Sequence, residues 1–292
     1  MTAVPAELFA VRGDGPQALA PPRPITSVHD LPADLPFGVY TVFRTFDHNK
    51  FLHLGTHLDR LEQSTALLGW KFTLGRPALR RALHQVCTAY THADARVRVD
   101  ILARPATQLD TSSRVLLTLA PFVPVPAALY EEGVRVGLAP RLHREQPRAK
   151  KADFALARQE YPRGLPDAYD YLLLDEAGRI LEGSSSNFYA VREGVVWTAG
   201  EGVLAGVTRR IVLQLIAELE IPLRLQAVPL AAVKRLQEAF MSSSSRGLLP
   251  IVAIDGNRVG DGRPGPITRR LMAAYEQYVA VAIRPAIGPE QA

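Results

Sequence analysis

Apolar and polar positions along this chain change period several times, and each change marks an element. Residues 38–46 and 50–54 read as strands joined by the turn-prone Asp47-His48-Asn49. Over 57–70 the period lengthens: Leu58, Leu61, Thr65 and Leu68 fall on one face at helical spacing. Arg60 lies away from the centre of that stripe and is free to reach something else. A second helix is expected over 77–90, followed by strands over 96–102 and 113–119.

Pro121, Pro124 and Pro126 then crowd six positions, which prevents a helix and favours an extended connection. They divide the chain into a small N-terminal domain, 1–120, a linker, 121–130, and a larger domain, 131–292. Short strands are expected over 134–138, 169–174, 179–181, 187–191 and 195–198. Turns at Glu176-Ala177-Gly178 and Arg192-Glu193-Gly194 separate some of them, and such tight connections favour an antiparallel meander. Helices are expected over 208–220, 230–236 and 267–279, a strand over 238–242, and a hairpin over 251–259 around Asp255-Gly256. The pattern is α+β in two layers, not alternating βαβ units.

Composition changes this picture little. With 47% hydrophobic and 22% charged residues, the 292-residue chain is ordinary globular material. A net charge of +5 is small for the length, and the arginines are scattered among acids, so nucleic acid is not an expected partner. No run approaches the roughly 18–20 apolar residues that span a bilayer. The single Cys87 sits among apolar neighbours in a helix-like stretch, which reads as a buried structural thiol and fits a reducing cytoplasm. No zinc spacing or other metal signature appears.

Four features could carry chemistry. Gly206-Val207-Thr208 leads into a helix, where free N–H groups and the helix dipole favour an anion. Ser242 to Gly247 offers hydroxyls, a cation and a glycine after a strand. Lys150 stands in a basic cluster with Arg144, Arg148 and Lys151, and a lysine surrounded by cations can bond covalently to a carbonyl once its amine is deprotonated. Glu182 sits at a strand end before Gly183-Ser184-Ser185-Ser186-Asn187. Singly, each reads as well as a capped helix, a polar loop, a surface lysine or a turn residue.

In order, however, Leu181-Glu182-Gly183-Ser184-Ser185-Ser186-Asn187-Phe188, Leu204-Ala205-Gly206-Val207-Thr208-Arg209 and Glu238-Ala239-Phe240-Met241-Ser242-Ser243-Ser244-Ser245 resemble the motifs of class IV aminotransferases. These are the fold type IV pyridoxal-phosphate enzymes, which include branched-chain and D-amino acid aminotransferases and aminodeoxychorismate lyase. The resemblance runs from about Gly38 to Tyr278 and implies a two-domain enzyme with pyridoxal 5'-phosphate as cofactor. It makes Lys150, in place of the neighbouring Lys151, the lysine that holds the cofactor covalently, and Glu182 the acid paired with the pyridine nitrogen. Asp153 stands where the family often has asparagine. Arg60, Val207, Thr208, Ser243 and Ser244 become phosphate contacts, Leu204 a residue packed on the ring, and Tyr40 a tyrosine on the substrate side.

The resemblance also implies a homodimer acting on an amino acid and a 2-oxo acid, commonly 2-oxoglutarate, and the single cysteine places it in the cytoplasm as an expectation. The loop Gly260 to Pro266 resembles the branched-chain type, so an L-branched-chain or similar hydrophobic donor ranks first. The serine-rich motif resembles D-amino acid aminotransferases, which rank second, and aminodeoxychorismate lyase ranks third. For the last two a carboxylate-binding arginine is needed, and Arg98 and Arg104 are the candidates. A regulatory protein that binds the cofactor without turnover is the non-enzyme alternative.

Overall fold

The computed structural model describes residues 4–30, 34–161 and 167–287. In chain order its elements are strands β1 (Glu7–Arg12), β2 (Gly15–Leu19), β3 (Gly38–Arg44) and β4 (Lys50–Leu52), helices α1 (Leu54–Leu67) and α2 (Arg76–Ala89), and strands β5 (Ala95–Leu102) and β6 (Val115–Pro121). Helix α3 (Ala127–Glu132), β7 (Val134–Leu138), α4 (Ala152–Glu160), β8 (Tyr171–Leu174), β9 (Arg179–Gly183), β10 (Asn187–Arg192), β11 (Val195–Trp197) and α5 (Val207–Glu218) follow. The chain continues through β12 (Leu223–Arg224), β13 (Val228–Pro229), a 3-10 stretch Leu230–Arg235, β14 (Glu238–Ser243), β15 (Gly247–Ile254), β16 (Asn257–Arg258), α6 (Pro266–Ala282) and β17 (Ile283–Pro285).

The chain forms two compact units: Met1–Val123 with Ala149–Leu156 and Val281–Ala292, and Pro124–Arg148 with Ala157–Ala280. The first crossing falls inside the proline-rich stretch 121–130. Ala149–Leu156 and Val281–Ala292 group with the first unit because each is tied to a strand of it. Lys151 bridges to Val39, and β17 pairs with β4.

In the first unit an antiparallel sheet runs β2-β1-β6-β5-β3. Its period-2 alternation feeds two cores. Val97, Val99, Ile101, Leu117 and Leu119 pack with Leu58 and Leu61 of α1 and Leu79, Leu83 and Val86 of α2. On either side of Leu117 and Leu119, Leu116 and Ala120 face the other way and join Leu8, Ala10, Ile25 and Val28. Cys87 is buried in the first core, and burial alone pushes its thiol up to about 12, which suits packing and not nucleophilic chemistry. The β1–β2 hairpin was not among the expected elements. Its signal is the turn Gly13-Asp14-Gly15 after the apolar run Leu8 to Val11, with Gly15 at φ 140°.

The second unit departs from a pure antiparallel meander. Its strands run β12-β11-β10-β14-β15-β7-β8-β9-β13, and β9 also pairs with β10, so six strands from β10 round to β9 close on themselves. β7 pairs parallel with both β15 and β8. Parallel pairing needs a long crossover, and the stretch after Leu138 containing α4 supplies one. That helix was also unexpected, because its buried Ala152, Phe154 and Ala155 span too few residues for periodicity to separate helix from loop. The expected 230–236 helix is the 3-10 stretch, with Ala232 and Val233 in the core.

Candidate active site

Glu182 stands at the closure of the second unit's sheet, where β9 meets β10 in the register Glu182↔Asn187. It is nearly fully buried. Arg144 Nε donates to its Oε1 at 2.7 Å; Asn187 Nδ2 and the Leu204 N–H donate to its Oε2 at 3.2 and 3.1 Å. Asn187 Nδ2 also donates to the Leu204 carbonyl at 3.0 Å. An anion is thus held in low dielectric by one cation and two oriented dipoles, which fixes its rotamer.

The same asparagine positions the anion-binding turn. A Cβ at Gly206 would lie 2.2 Å from Asn187 Oδ1, so only glycine allows α5 to begin there. No side chain caps that start. The first bond into the helix is Arg210 N–H to Gly206 O, leaving the N–H groups of Val207, Thr208 and Arg209 outside the helix ladder. Thr208 Oγ1 is buried with no hydrogen-bond partner among the described residues. Arg209 anchors this turn by donating to Thr198 Oγ1 and the Ala199 carbonyl, each at 2.7 Å.

β14 lies beside β10, and its end turns through Ser243, Ser244, Ser245 and Arg246. Arg246 Nε donates to Ser243 Oγ at 2.8 Å, and its Nη2 donates to Ser185 Oγ at 2.8 Å. The three serines of the β9–β10 turn are engaged elsewhere: Ser184, Ser185 and Ser186 donate to Asp170 at 2.6, 2.9 and 2.9 Å. Burial pushes the Asp170 carboxyl up, but the Arg246 charge, the Ser184 and Ser186 hydroxyls and the Tyr171 N–H together hold it below its usual value. Asp170 therefore stabilises the fold above the ordinary carboxylate pKa, and that contribution is lost as pH falls through its lower folded value. Asp170→Asn should cost about 1–3 kcal/mol at pH 7. The gap from the parent should narrow below about pH 4, which denaturation midpoints at pH 7 and pH 3 would measure.

In the first unit the two neighbouring lysines part company. Lys151 Nζ pairs with Asp153 Oδ2 at 3.0 Å. Half-buried Lys150 instead brings Nζ to 4.9 Å from the Tyr40 ring centroid. Its backbone is fixed on both sides: its N–H donates to Ser64 Oγ at 3.2 Å, and its carbonyl accepts from the Tyr40 N–H at 3.0 Å. Ser64 Oγ in turn donates to the Arg60 carbonyl at 2.7 Å, linking the lysine to α1.

Arg60 is buried, and its Nη2 donates to Thr41 Oγ1 at 2.8 Å. Thr41 Oγ1 also lies 2.8 Å from His57 Nδ1. Because a guanidinium only donates, the threonine accepts from Arg60, and the direction of its bond with His57 Nδ1 follows the imidazole tautomer. Burial, then the charges of Arg60, Lys150 and His53, hold His57 well below its ordinary pKa, so the imidazole is neutral. Arg98 is also buried, while Arg104 is exposed in the loop after β5.

The second unit thus brings Glu182, Leu204, Val207, Thr208, Ser243 and Ser244 around Asn187 and β14, and the first brings Tyr40, Arg60, Arg98 and Lys150 around β3. The basic cluster at 144–151 is not one feature: Arg144 serves Glu182, Lys151 serves Asp153, and Arg148 is exposed. Reading the sequence singled out neither Asp170, Asn187 as a clamp, nor His57 and Asp100. Asp100 alone had a signal, two residues from Arg98 on one strand face.

A model of the amino-transferase class IV family matches residues 38–254. The chain is 29% identical to a "Probable branched-chain-amino-acid aminotransferase" of Thermotoga maritima over 82% of this chain and 86% of that protein. It is 34% identical to the D-alanine aminotransferase of Staphylococcus haemolyticus, but over 34% of this chain and only 36% of that protein's length. A branched-chain amino acid aminotransferase from T.th., crystallised with pyridoxamine 5'-phosphate, has the same fold, with a TM-score of 0.79 at 19% identity over 98% of this chain and all of that one. This chain belongs to the class IV aminotransferase family, fold type IV enzymes that depend on pyridoxal 5'-phosphate. No helix among the described residues is long and apolar enough to cross a membrane.

The residues fit that cofactor at two ends. The uncapped start of α5, with its unpartnered Thr208 hydroxyl, suits a phosphate, and the buried, clamped Glu182 suits a protonated ring nitrogen. Thr208→Val tests the first end with opposite signs in two measurements. Removing a buried, unsatisfied hydroxyl should leave the cofactor-free protein as stable or up to about 1 kcal/mol more so. The dissociation constant for pyridoxal phosphate, read by absorbance titration, should rise about five- to tenfold.

Proposed function

We propose that this chain is a transaminase that moves an amino group from an L-branched-chain or similar hydrophobic amino acid to a 2-oxo acid, with 2-oxoglutarate the first to assay. The observation that carries the reading is Glu182, a fully desolvated acid clamped by Arg144, Asn187 and the Leu204 N–H beside an uncapped helix start. The branched-chain choice is supported by the relative matched over most of both chains. A D-amino acid donor is the second reading, favoured by the higher but shorter identity to D-alanine aminotransferases.

In this proposal Arg60, Val207, Thr208, Ser243 and Ser244 hold the phosphate, Leu204 packs on the ring, and Tyr40 and Arg98 face the substrate. Once bound, the cofactor supplies an electron sink for the charge that develops as the substrate Cα–H bond breaks. Glu182 holds a proton on the ring nitrogen by opposing its charge. The Lys150 amine would hold the cofactor covalently and, once free, would be the base that takes the proton from the substrate Cα. Tyr40 covers one side of that amine and fixes its direction. Arg104, exposed in the loop after β5, is the second candidate for the substrate carboxylate. The enzyme is further proposed to work as a cytoplasmic homodimer.

Mixing the purified protein with pyridoxal phosphate and then with L-leucine or D-alanine tests the scheme. A visible cofactor band that collapses with L-leucine alone supports the leading reading, and collapse with D-alanine alone promotes the second. Cofactor binding without change on any amine would make the chain a regulatory binder.

A further inference from the structure

Arg98 and Asp100 stand two apart on β5 and share a face with Tyr40, which pairs directly opposite Asp100 in the β3–β5 register. Side-chain exposure is 1% for Arg98 and 3% for Asp100. Arg98 Nε and Nη2 donate to the two Asp100 oxygens, each at 2.7 Å, a two-pronged fork that fixes the guanidinium. The guanidinium carbon lies 3.9 Å from the Tyr40 ring centroid, the ring that Lys150 Nζ also approaches at 4.9 Å. One aromatic ring is therefore the common neighbour of the pair and the candidate catalytic amine. Arg98 Nη1 is buried with no hydrogen-bond partner among the described residues.

We infer that Asp100 is a specificity-determining residue that excludes substrates carrying a second carboxylate; the inference rests on the transaminase reading above and narrows its acceptor. Asp100 takes the Nε–Nη2 edge of Arg98 and offsets its charge, leaving the Nη1 end of the guanidinium. A second carboxylate brought to that end finds a cation already paired and meets the Asp100 anion where no water screens it. An uncharged side chain meets no such repulsion. The preferred acceptor is then a monocarboxylic 2-oxo acid, not 2-oxoglutarate. Without Asp100, Arg98 would present a forked cation to a dicarboxylate.

The test compares 2-oxopentanoate with 2-oxoglutarate, which differ at the far end of the chain by a methyl against a carboxylate, using holoenzyme and a fixed amino donor. The parent should favour 2-oxopentanoate in kcat/KM by about tenfold or more, and glutarate should inhibit more weakly than pentanoate. Asp100→Asn should raise kcat/KM for 2-oxoglutarate relative to 2-oxopentanoate about ten- to a hundredfold, through KM, and tighten glutarate inhibition. Arg98→Gln combined with Asp100→Asn should lose that gain, since the freed cation is gone. A parent enzyme that uses the two acids equally well overturns the inference even if the variants do not fold. So does an Asp100→Asn ratio within about twofold of the parent in a working enzyme. Turnover of neither acid by the parent would instead overturn the transaminase reading itself, and this inference with it.

Discussion

Lys150→Ala is expected to remove the visible absorption of bound cofactor and to lower turnover by about a thousandfold or more, because one amine serves as both covalent anchor and base. The fold should survive the change. Lys150 is positioned through its backbone, by the N–H donated to Ser64 Oγ and the carbonyl that accepts from Tyr40, and both bonds outlast the loss of the side chain. Lys151→Ala provides the contrast. Its ammonium is paired with Asp153, whose side chain is half exposed, so the cost should stay under about 1 kcal/mol, with band and turnover intact. An absorption titration and a single-turnover assay on each variant decide the matter, and loss of the band in Lys151→Ala alone would move the anchor by one residue.

The second large effect is expected at Glu182. Glu182→Gln keeps the shape of the side chain but removes its charge, so the ring nitrogen loses the anion that keeps it protonated. Turnover should fall about a hundredfold or more while cofactor still binds. The same change strands Arg144, whose side chain is 6% exposed and whose Nε donates to Glu182. An uncompensated buried cation typically costs about 3–5 kcal/mol, so the variant should also unfold earlier in denaturant. Activity and stability can be separated by adding Arg144→Met, which removes the stranded charge. The double variant should recover most of the lost stability and none of the lost turnover. Recovery of both would reduce Glu182 to a structural partner of Arg144, and an unchanged rate in Glu182→Gln alone would remove it from the chemistry.

The order of most elements was legible in the chain itself, and the candidate site residues followed from the resemblance of its motifs. Helical spacing at Leu58 and Leu61 placed α1, alternation placed β3, β5, β7 and β10, and the glycine before Val207 marked the start of α5. These follow from periodicity and backbone freedom, which act over a few residues and so are written locally. Elements with little internal pattern escaped: the β1–β2 hairpin, the short α4 and the terminal β17, which exists only because β4 pairs with it.

What each charged residue is bound to was decided by the tertiary structure alone. Nothing local says that Lys151 is spent on Asp153 while Lys150 rests against Tyr40, or that three consecutive serines all donate to Asp170. Nor does the chain order show that Arg144 clamps Glu182 from 38 positions away. Arg98, which looks in sequence like a free carboxylate-binding cation, is neutralised once β5 places Asp100 on the same buried face. Strand register and the low dielectric of burial choose these partners, because an ionic group removed from water must pair with whatever the long-range fold brings beside it.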